Sequence, residues 1–184
     1  MGAWLSFSMW LVAAGPPAVI RPVSPQPPNG LRAGGVPSVH PAASFSVNVS
    51  PATITFSATD PDTAPVVAGS APASVTWQNL DFNSGAWGLT VQANASTFSN
   101  CPTVPVSAVT VSCASASTSI GGSGTCSAPF TLSTTAQTVA SGSQSFLTYS
   151  YSVTLNFTLA DNWKYIAETS PSCSLSLSYI ANVP

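Results

Sequence analysis

The sequence predicts an all-β protein, a single antiparallel β-sandwich of about eight strands that is stapled by disulfides. Short runs of alternating apolar and polar residues, separated by Pro- and Gly-containing turns, are typical of half-buried strands. Charged residues make up 4% of the 184 positions, whereas Ser and Thr number 31 and 19, so the Lys and Glu that surface helices need are almost missing. One polar face on each strand favours antiparallel sheets that bury their other faces against each other.

The first 20 residues form an apolar run followed by small residues. They predict either a secretory leader that is cut after Ala14, or an N-terminal segment that is retained and packs on another surface, since no Lys or Arg precedes the run. Gly15-Pro16-Pro17 ends the run too early for a bilayer span, so no membrane span is expected in the mature chain. Residues 21–43 are rich in Pro and Gly and predict an extended tether, and residues 44–184 form the predicted sandwich domain.

The domain opens with an interrupted strand at residues 44–58. Its in-facing positions are Phe45, Val47, Val49, Ile54 and Phe56. Pro51 lies between the two halves, and proline cannot donate to a strand ladder. We therefore expect a bent or edge strand that switches at Pro51, and the segment is also a candidate donor strand for a neighbouring molecule.

Further alternating runs complete the predicted sandwich. Their in-facing positions are Val75 and Trp77; Trp87, Leu89, Val91 and Ala93; Val109, Val111 and Cys113; Phe130 and Leu132; and Cys173, Leu175, Leu177 and Tyr179. The longest run covers residues 147–160 with apolar side chains at every odd position. Val153 to Leu159 is predicted to be the central core strand, whereas the end from Leu147 to Tyr151 either joins the core or projects towards a partner. A strand of this length is expected to contain a bulge near its two tyrosines.

Four cysteines, Cys101, Cys113, Cys126 and Cys173, lie in the second half of the chain. An even number in an exported chain predicts two disulfides. The sequence contains no Cys-x-x-Cys pair and no His near the cysteines, so a zinc site is not expected. Three pairings are open, and the spacing favours Cys101–Cys113, which closes a short loop, together with Cys126–Cys173.

The chain lacks the inventory of an enzyme. Its one histidine, His40, lies in the tether, so the domain cannot hold a Ser-His-Asp or Cys-His site. The acidic residues lie in predicted loops, and Asp60-Pro61-Asp62 predicts a turn rather than a pair of calcium ligands, since no Asp-x-Asp-x-Asp-Gly loop surrounds it. We expect no catalytic residue, metal or cofactor. No basic patch exists, which argues against a nucleic-acid partner.

The aromatic residues fall into two groups. Trp77 and Trp87 share the parity of the apolar set and are predicted to be core. Trp163 and Tyr165 lie outside the strands and are candidates for stacking on a glycan. The alternative is structural, because Asp161 and Tyr165 have the spacing of the pair at a tyrosine corner.

Three Asn-x-Ser/Thr triplets are candidate N-glycosylation acceptors. They begin at Asn48, Asn94 and Asn156, and all three positions are expected to point outward. Attached glycans would therefore be sterically allowed in a host that glycosylates exported chains.

From residue 44 onward the chain resembles bacterial exported Ig-like β-sandwich proteins of cell surfaces and pili. The resemblance is carried by the Ser/Thr-rich alternating strands, the paired cysteines, the stretch VTWQNLDFNSGAWGLTVQA and the C-terminal CSLSLSYIANVP. Pilins of this kind polymerise when an extended N-terminal segment of one subunit completes the sheet of the next. SFSVNVSPATITFSA, which follows the Pro-rich tether, resembles such a donor.

Two functions follow as hypotheses, both for an exported protein at the cell surface. The first is a structural subunit of an extracellular filament or surface assembly, whose partner is a second copy of the chain. The low charge supports it, because it removes the repulsion that keeps edge strands apart. The second is a monomeric adhesin or glycan-binding module that uses Trp163.

Overall fold

The computed structural model describes residues 5–11, 47–58, 60–80, 83–165 and 173–183, with the backbone alone described at residues 5–11. The tether at residues 21–43 and Phe45 lie outside this part of the chain. The described residues form fourteen strands and one short 3-10 helix, Val106–Ala108. The strands are β1 (Leu5–Leu11), β2 (Val47–Ser50), β3 (Thr53–Ala58), β4 (Val66–Ala68), β5 (Ala73–Gln78), β6 (Gly85–Ala93), β7 (Thr97–Phe98), β8 (Cys101–Pro105), β9 (Val109–Thr118), β10 (Ser123–Cys126), β11 (Phe130–Thr131), β12 (Gln137–Gln144), β13 (Ser150–Ala160) and β14 (Cys173–Asn182).

The strands form two main sheets and one small one. The first sheet has the order β10-β12-β6-β14-β1-β3, and the second has the order β11-β9-β13-β5-β2 with β4 added beside β13. Strands β7 and β8 pair with each other. Within the described residues every ladder is antiparallel except the one that joins β1 to β14. The all-β class with antiparallel sheets is therefore confirmed.

The expected number of about eight strands is too low, because several strands lack a clear alternating pattern. Strands β4 and β10 lie in segments that contain none of the alternating runs from which the strands are predicted. Strand β12 is rich in small residues, and its ladder with β6 shifts register between Thr138 and Ala140. A register shift breaks the period of two, so the strand cannot be recognised from alternation.

The interrupted first strand changes sheets at Pro51, the position where the sequence predicts a bent or edge strand to switch. Strand β2 pairs with β5 in the second sheet, whereas β3 pairs with β1 in the first. Ile54 and Phe56 of β3 are completely buried, and Val47 and Val49 of β2 pack against the core from its edge. The chain thus crosses between the two sheets within a few residues.

Side chains from both main sheets share one core, with three aromatic rings at its centre. Trp77 of the second sheet stacks on Tyr151 with ring centroids 5.0 Å apart, and Trp87 of the first sheet meets both rings edge-on at 5.7 and 5.5 Å. The Tyr151 hydroxyl donates to Gln144 Oε1. Burial raises the pKa of Tyr151, and a hydrogen bond with the Asn79 side chain partly offsets that rise. Both tryptophans are core residues, as predicted.

The long alternating run forms β13, which is central in the second sheet between β9 and β5. Val153, Leu155, Phe157 and Leu159 are buried, which confirms the core prediction, and Tyr151 is buried with them. Leu147 and Tyr149 precede the strand and are 50% and 48% exposed. The β9–β13 ladder shifts register between Thr154 and Leu155, so the expected irregularity lies in the middle of the strand and not at the tyrosines.

Candidate strand-addition site

Strand β1 lies between two strands that are far away from it along the chain. It runs parallel to β14, from Phe7 opposite Cys173 to Leu11 opposite Leu177. On its other side it runs antiparallel to β3, from Leu5 opposite Ala58 to Trp10 opposite Thr53. In the described part of the chain β3 has no other ladder partner. Strand β1 therefore connects β3 to the rest of the first sheet.

The two strands that flank β1 are fixed by their own contacts. Ile54 and Phe56 of β3 and Leu175 and Leu177 of β14 are at most 2% exposed. The far edge of β3 is bonded to Ser70, whose backbone N–H donates to the Thr55 carbonyl at 2.8 Å. Since neighbouring strands lie about 4.8 Å apart, β3 and β14 border a slot that is one strand wide.

The structure places the predicted donor segment in the chain's own sheets. Val47 and Val49 face β5, and Ile54 and Phe56 are part of the core. Residues 44–46 of the segment, which include Phe45, lie outside the described residues. The strand whose two neighbours are both distant in sequence is instead β1. It lies in the apolar run for which the sequence predicts a leader or a retained segment.

One sequence signal for β1 was present. Leu5, Phe7 and Met9 alternate with Ser6 and Ser8, and serines at every second position are unusual for the continuous apolar stretch of a leader. The period of two is the pattern of a half-buried strand. The run is short, and its high overall hydropathy indicates a leader more strongly than the alternation indicates a strand.

The four cysteines form two disulfides as predicted, but the favoured pairing is wrong. The bonds are Cys101–Cys173 and Cys113–Cys126. Strand β14 runs beside the β7–β8 segment, where Ser99 and Ser174 exchange backbone hydrogen bonds of 2.7 and 3.2 Å, and this brings Cys101 to Cys173. Strands β9 and β10 are neighbours across a tight turn, which brings Cys113 to Cys126. Adjacency in space, and not loop length, decides the connectivity.

Trp163 and Tyr165, the candidate glycan-stacking residues, differ in exposure. Trp163 is 68% exposed, and its indole N–H donates to Asp62 Oδ1 at 3.2 Å. Tyr165 is half-buried and packs against the core. Burial and, to a smaller extent, the charge of Asp161 raise the pKa of Tyr165. Only Trp163 therefore presents a free ring face to solvent.

The three candidate glycosylation residues all lie on the surface. Asn48 is exposed on β2 and Asn156 is exposed on β13. Asn94 follows β6 and is also exposed, although its Oδ1 accepts a 2.6 Å hydrogen bond from Ser178 Oγ. Access of a modifying enzyme to Asn94 would require this bond to open.

The Asp60-Pro61-Asp62 segment forms a turn. Asp60 Oδ1 accepts the backbone N–H of Asp62 at 3.0 Å, and the Asp60 carbonyl accepts the N–H groups of Thr63 and Ala64. In the described ranges no three His, Cys, Asp or Glu side chains come together as a metal site would need. Nor does any helix in those ranges have the length and apolar character needed to cross a membrane.

The chain matches no protein-family model, no curated protein and no solved structure. The feature of the structure that bears most on function is the position of β1 between β3 and β14.

Proposed function

We propose that the protein is a structural subunit of an extracellular filament or surface assembly, which polymerises by β-strand addition of its N-terminal segment. Strand β1 is the strand that is added, and the slot between β3 and β14 receives it. The supporting observation is that β1 completes the first sheet although both of its neighbours are distant in sequence. Strand addition uses main-chain hydrogen bonds for affinity and alternate side chains for specificity.

The length of the segment between β1 and β2 supports exchange between molecules. Trp10 lies directly opposite Thr53, so β1 ends beside the turn that joins β2 to β3. The segment that connects β1 to β2 has 35 residues, from 12 through 46, and is rich in Pro and Gly. At about 3.3 Å per residue such a segment reaches up to roughly 115 Å, which is far enough to enter the slot of a neighbouring copy. An element that makes the same contacts in either chain is suited to swapping.

The rest of the molecule fits the role of an exported building block. In this proposal the two main sheets act as an Ig-like sandwich that presents the slot. Two disulfides suit an oxidising compartment outside the cytosol. With 4% charged residues, little repulsion opposes the approach of two copies.

The direct test is disulfide trapping in the full-length protein with two single variants, Ser8→Cys and Thr55→Cys, which lie opposite each other in the β1–β3 register. Facing positions on paired strands bring Cβ atoms to about 4.5–5.5 Å, within reach of a disulfide. The two variants carry tags of different size and are mixed at assembly concentrations under mild oxidation. We expect a mixed dimer on a non-reducing gel.

The matched control replaces Thr55→Cys by Thr125→Cys. Thr125 lies on β10, at the opposite edge of the same sheet, and cannot meet β1 by strand addition. Equal cross-linking in both mixtures would contradict exchange, and so would the absence of a mixed dimer from the Ser8→Cys and Thr55→Cys mixture. Mass spectrometry of the native protein must also find residues 5–11, since removal of this segment would leave no strand to add.

A second function, glycan binding by the monomer, is favoured by the exposure of Trp163. It predicts that Trp163→Ala abolishes binding while the far-ultraviolet circular dichroism spectrum stays unchanged. Unfolding of this variant would instead identify Trp163 as a structural residue.

A further inference from the structure

The outer face of the second sheet contains a groove that the strand-addition proposal does not use. It has a volume of about 500 Å³ and crosses β2, β5, β13 and β9 near the start of β13. The polar residues that line it include Asn48, Thr76, Gln78, Ser117, Ser150 and Ser152. None of the lining residues is charged.

The lining side chains form registered rows. Asn48 lies opposite Thr76, Thr76 opposite Ser152, and Ser152 opposite Ser117, so one row of polar residues crosses four strands. Gln78 and Ser150 form the next row. With strands about 4.8 Å apart, the first row extends over roughly 14 Å. The backbone ladders fix these positions, so the floor of the groove is already organised.

Most of these side chains have unused hydrogen-bonding capacity. Within the described residues, the side chains of Asn48, Thr76, Gln78, Ser150 and Ser152 make no hydrogen bond to the protein. Hydroxyls elsewhere on the surface behave differently, since Ser123 and Ser143 bond to each other at 2.8 Å and Gln137 bonds to Ser133 at 3.0 Å. The groove therefore concentrates donors and acceptors that remain open to a ligand.

Three exposed apolar side chains lie in the loops next to the lining strands, although they are not among the residues that line the groove. Leu80, Ile120 and Tyr149 are 70%, 73% and 48% exposed, and each follows or precedes a lining residue by one or two positions. Hydrogen bonds tie their loops together: Asn79 N–H donates to the Tyr149 carbonyl at 3.0 Å, and Tyr149 N–H donates to Ser119 Oγ at 2.9 Å. These bonds hold together the loops that carry the exposed apolar side chains beside the polar floor.

We propose that this groove binds a neutral oligosaccharide. A sugar ring carries hydroxyl groups that both donate and accept at its edge, and C–H groups on its faces. The groove offers partners for the hydroxyl groups, and the neighbouring loops offer exposed apolar surface for the C–H groups. An anionic ligand would find no cation here, and a wholly apolar ligand would leave the row of Ser, Thr, Asn and Gln side chains unpaired. The ligand class that matches is uncharged and rich in hydroxyls.

The candidate acceptor Asn48 lies inside this groove. A glycan attached to Asn48 would fill the site, so attachment and ligand binding exclude each other. Binding is therefore measured on full-length protein produced without glycosylation.

The experiment is calorimetric titration with cellohexaose, maltohexaose and mannohexaose. Ser152→Arg inserts a long charged side chain into the central row, and Asn156→Arg places the same side chain on the same strand and face but outside the groove. We expect saturable binding of at least one sugar, weakened about tenfold or more by Ser152→Arg and unchanged by Asn156→Arg. Gln78→Ala, a milder change at an exposed position, is expected to weaken binding several-fold if Ser152→Arg does not fold.

Three results would overturn the assignment. The first is the absence of saturable binding for all three sugars up to about 10 mM. The second is an equal effect of Ser152→Arg and Asn156→Arg. The third is loss of binding on Trp163→Ala with none on Gln78→Ala, which would place the sugar at the other end of β13.

Discussion

Removal of the two disulfides should destabilise the protein to different extents. Cys101–Cys173 closes a loop with a sequence separation of 72, whereas Cys113–Cys126 has a separation of 13. In the chain-entropy treatment these loops correspond to about 4 and about 3 kcal/mol of stabilisation. The order of the two costs follows from the loop lengths alone.

Burial increases the difference. Cys101 and Cys173 are each 1% exposed, while Cys113 and Cys126 are only half-buried. Truncation to alanine therefore also removes packed sulfur atoms at the first pair. We expect Cys101→Ala/Cys173→Ala to lower the free energy of unfolding by about 1–2 kcal/mol more than Cys113→Ala/Cys126→Ala.

The assay is urea unfolding of both double variants, followed by the fluorescence of the buried tryptophans, with free energies from linear extrapolation. Matching slopes in the two variants are needed for the comparison, because a changed slope reports a changed unfolded state. Equal costs, or a larger cost for the Cys113–Cys126 pair, would refute the reasoning from loop length and burial.

Four further outcomes are expected. Ser8→Pro, in the middle of β1 between two partner strands, should lower the free energy of unfolding in urea by about 2–4 kcal/mol. Proline has no backbone N–H, so residue 8 no longer donates to the ladder and the carbonyl that accepted this hydrogen bond is left unpaired. Gly124→Ala should lower the free energy of unfolding by about 1–3 kcal/mol, because an added Cβ would lie 2.6 Å from the Ala116 carbonyl oxygen. A thermal melt should show a lower melting temperature for this variant. Gly88→Ala is the control, since the atom nearest to its added Cβ is 3.9 Å away and the change should be tolerated. Burial raises the pKa of Tyr179 far above 10.0, so the free energy of unfolding should not depend on this group below pH 10 and should fall above it, where only the unfolded chain loses the proton. In an absorbance titration, part of the tyrosine signal should therefore stay un-ionised until the chain unfolds. Trp163→Ala should change unfolding free energy by no more than about 0.5 kcal/mol, since the side chain is exposed.

The sequence predicts the core better than it predicts the strand count. In β13 the alternation from Val153 to Leu159 is unbroken, and every in-facing side chain is buried. In β12 the bulge at Thr138 and Ala140 breaks the parity, and small side chains give little apolar contrast. A period of two can identify a strand only while its register is continuous.

The site was harder to predict because it depends on long-range pairing. In the β1–β14 ladder Phe7 lies opposite Cys173, and no local sequence pattern indicates which distant strand β1 pairs with. The same is true of Cys101–Cys173, which depends on the contact of Ser99 with Ser174. By contrast, the switch at Pro51 is a local property, since proline itself interrupts the ladder.

In the proposed assembly, competition between the two positions of β1 would determine when copies of the chain join. For a linker as long as residues 12–46, the effective concentration of β1 at its own slot is on the order of 10 mM. At about 10 μM protein, pairing within the chain is then favoured roughly a thousandfold, or by about 4 kcal/mol. A polymer must recover that difference through contacts that the monomer lacks.

In the proposed assembly, the exposed apolar side chains in the turn before β13 would supply such contacts. About 160 Å² of apolar surface buried between copies would balance 4 kcal/mol. Phe146 and Leu147 lie in the exposed turn before β13, at 62% and 50% exposure. Phe146→Asp should therefore raise the concentration at which filaments appear in electron microscopy, with monomer stability unchanged in urea. An unchanged threshold would mean that the additional contacts lie elsewhere on the surface, and a threshold that falls would contradict an apolar interface at this turn.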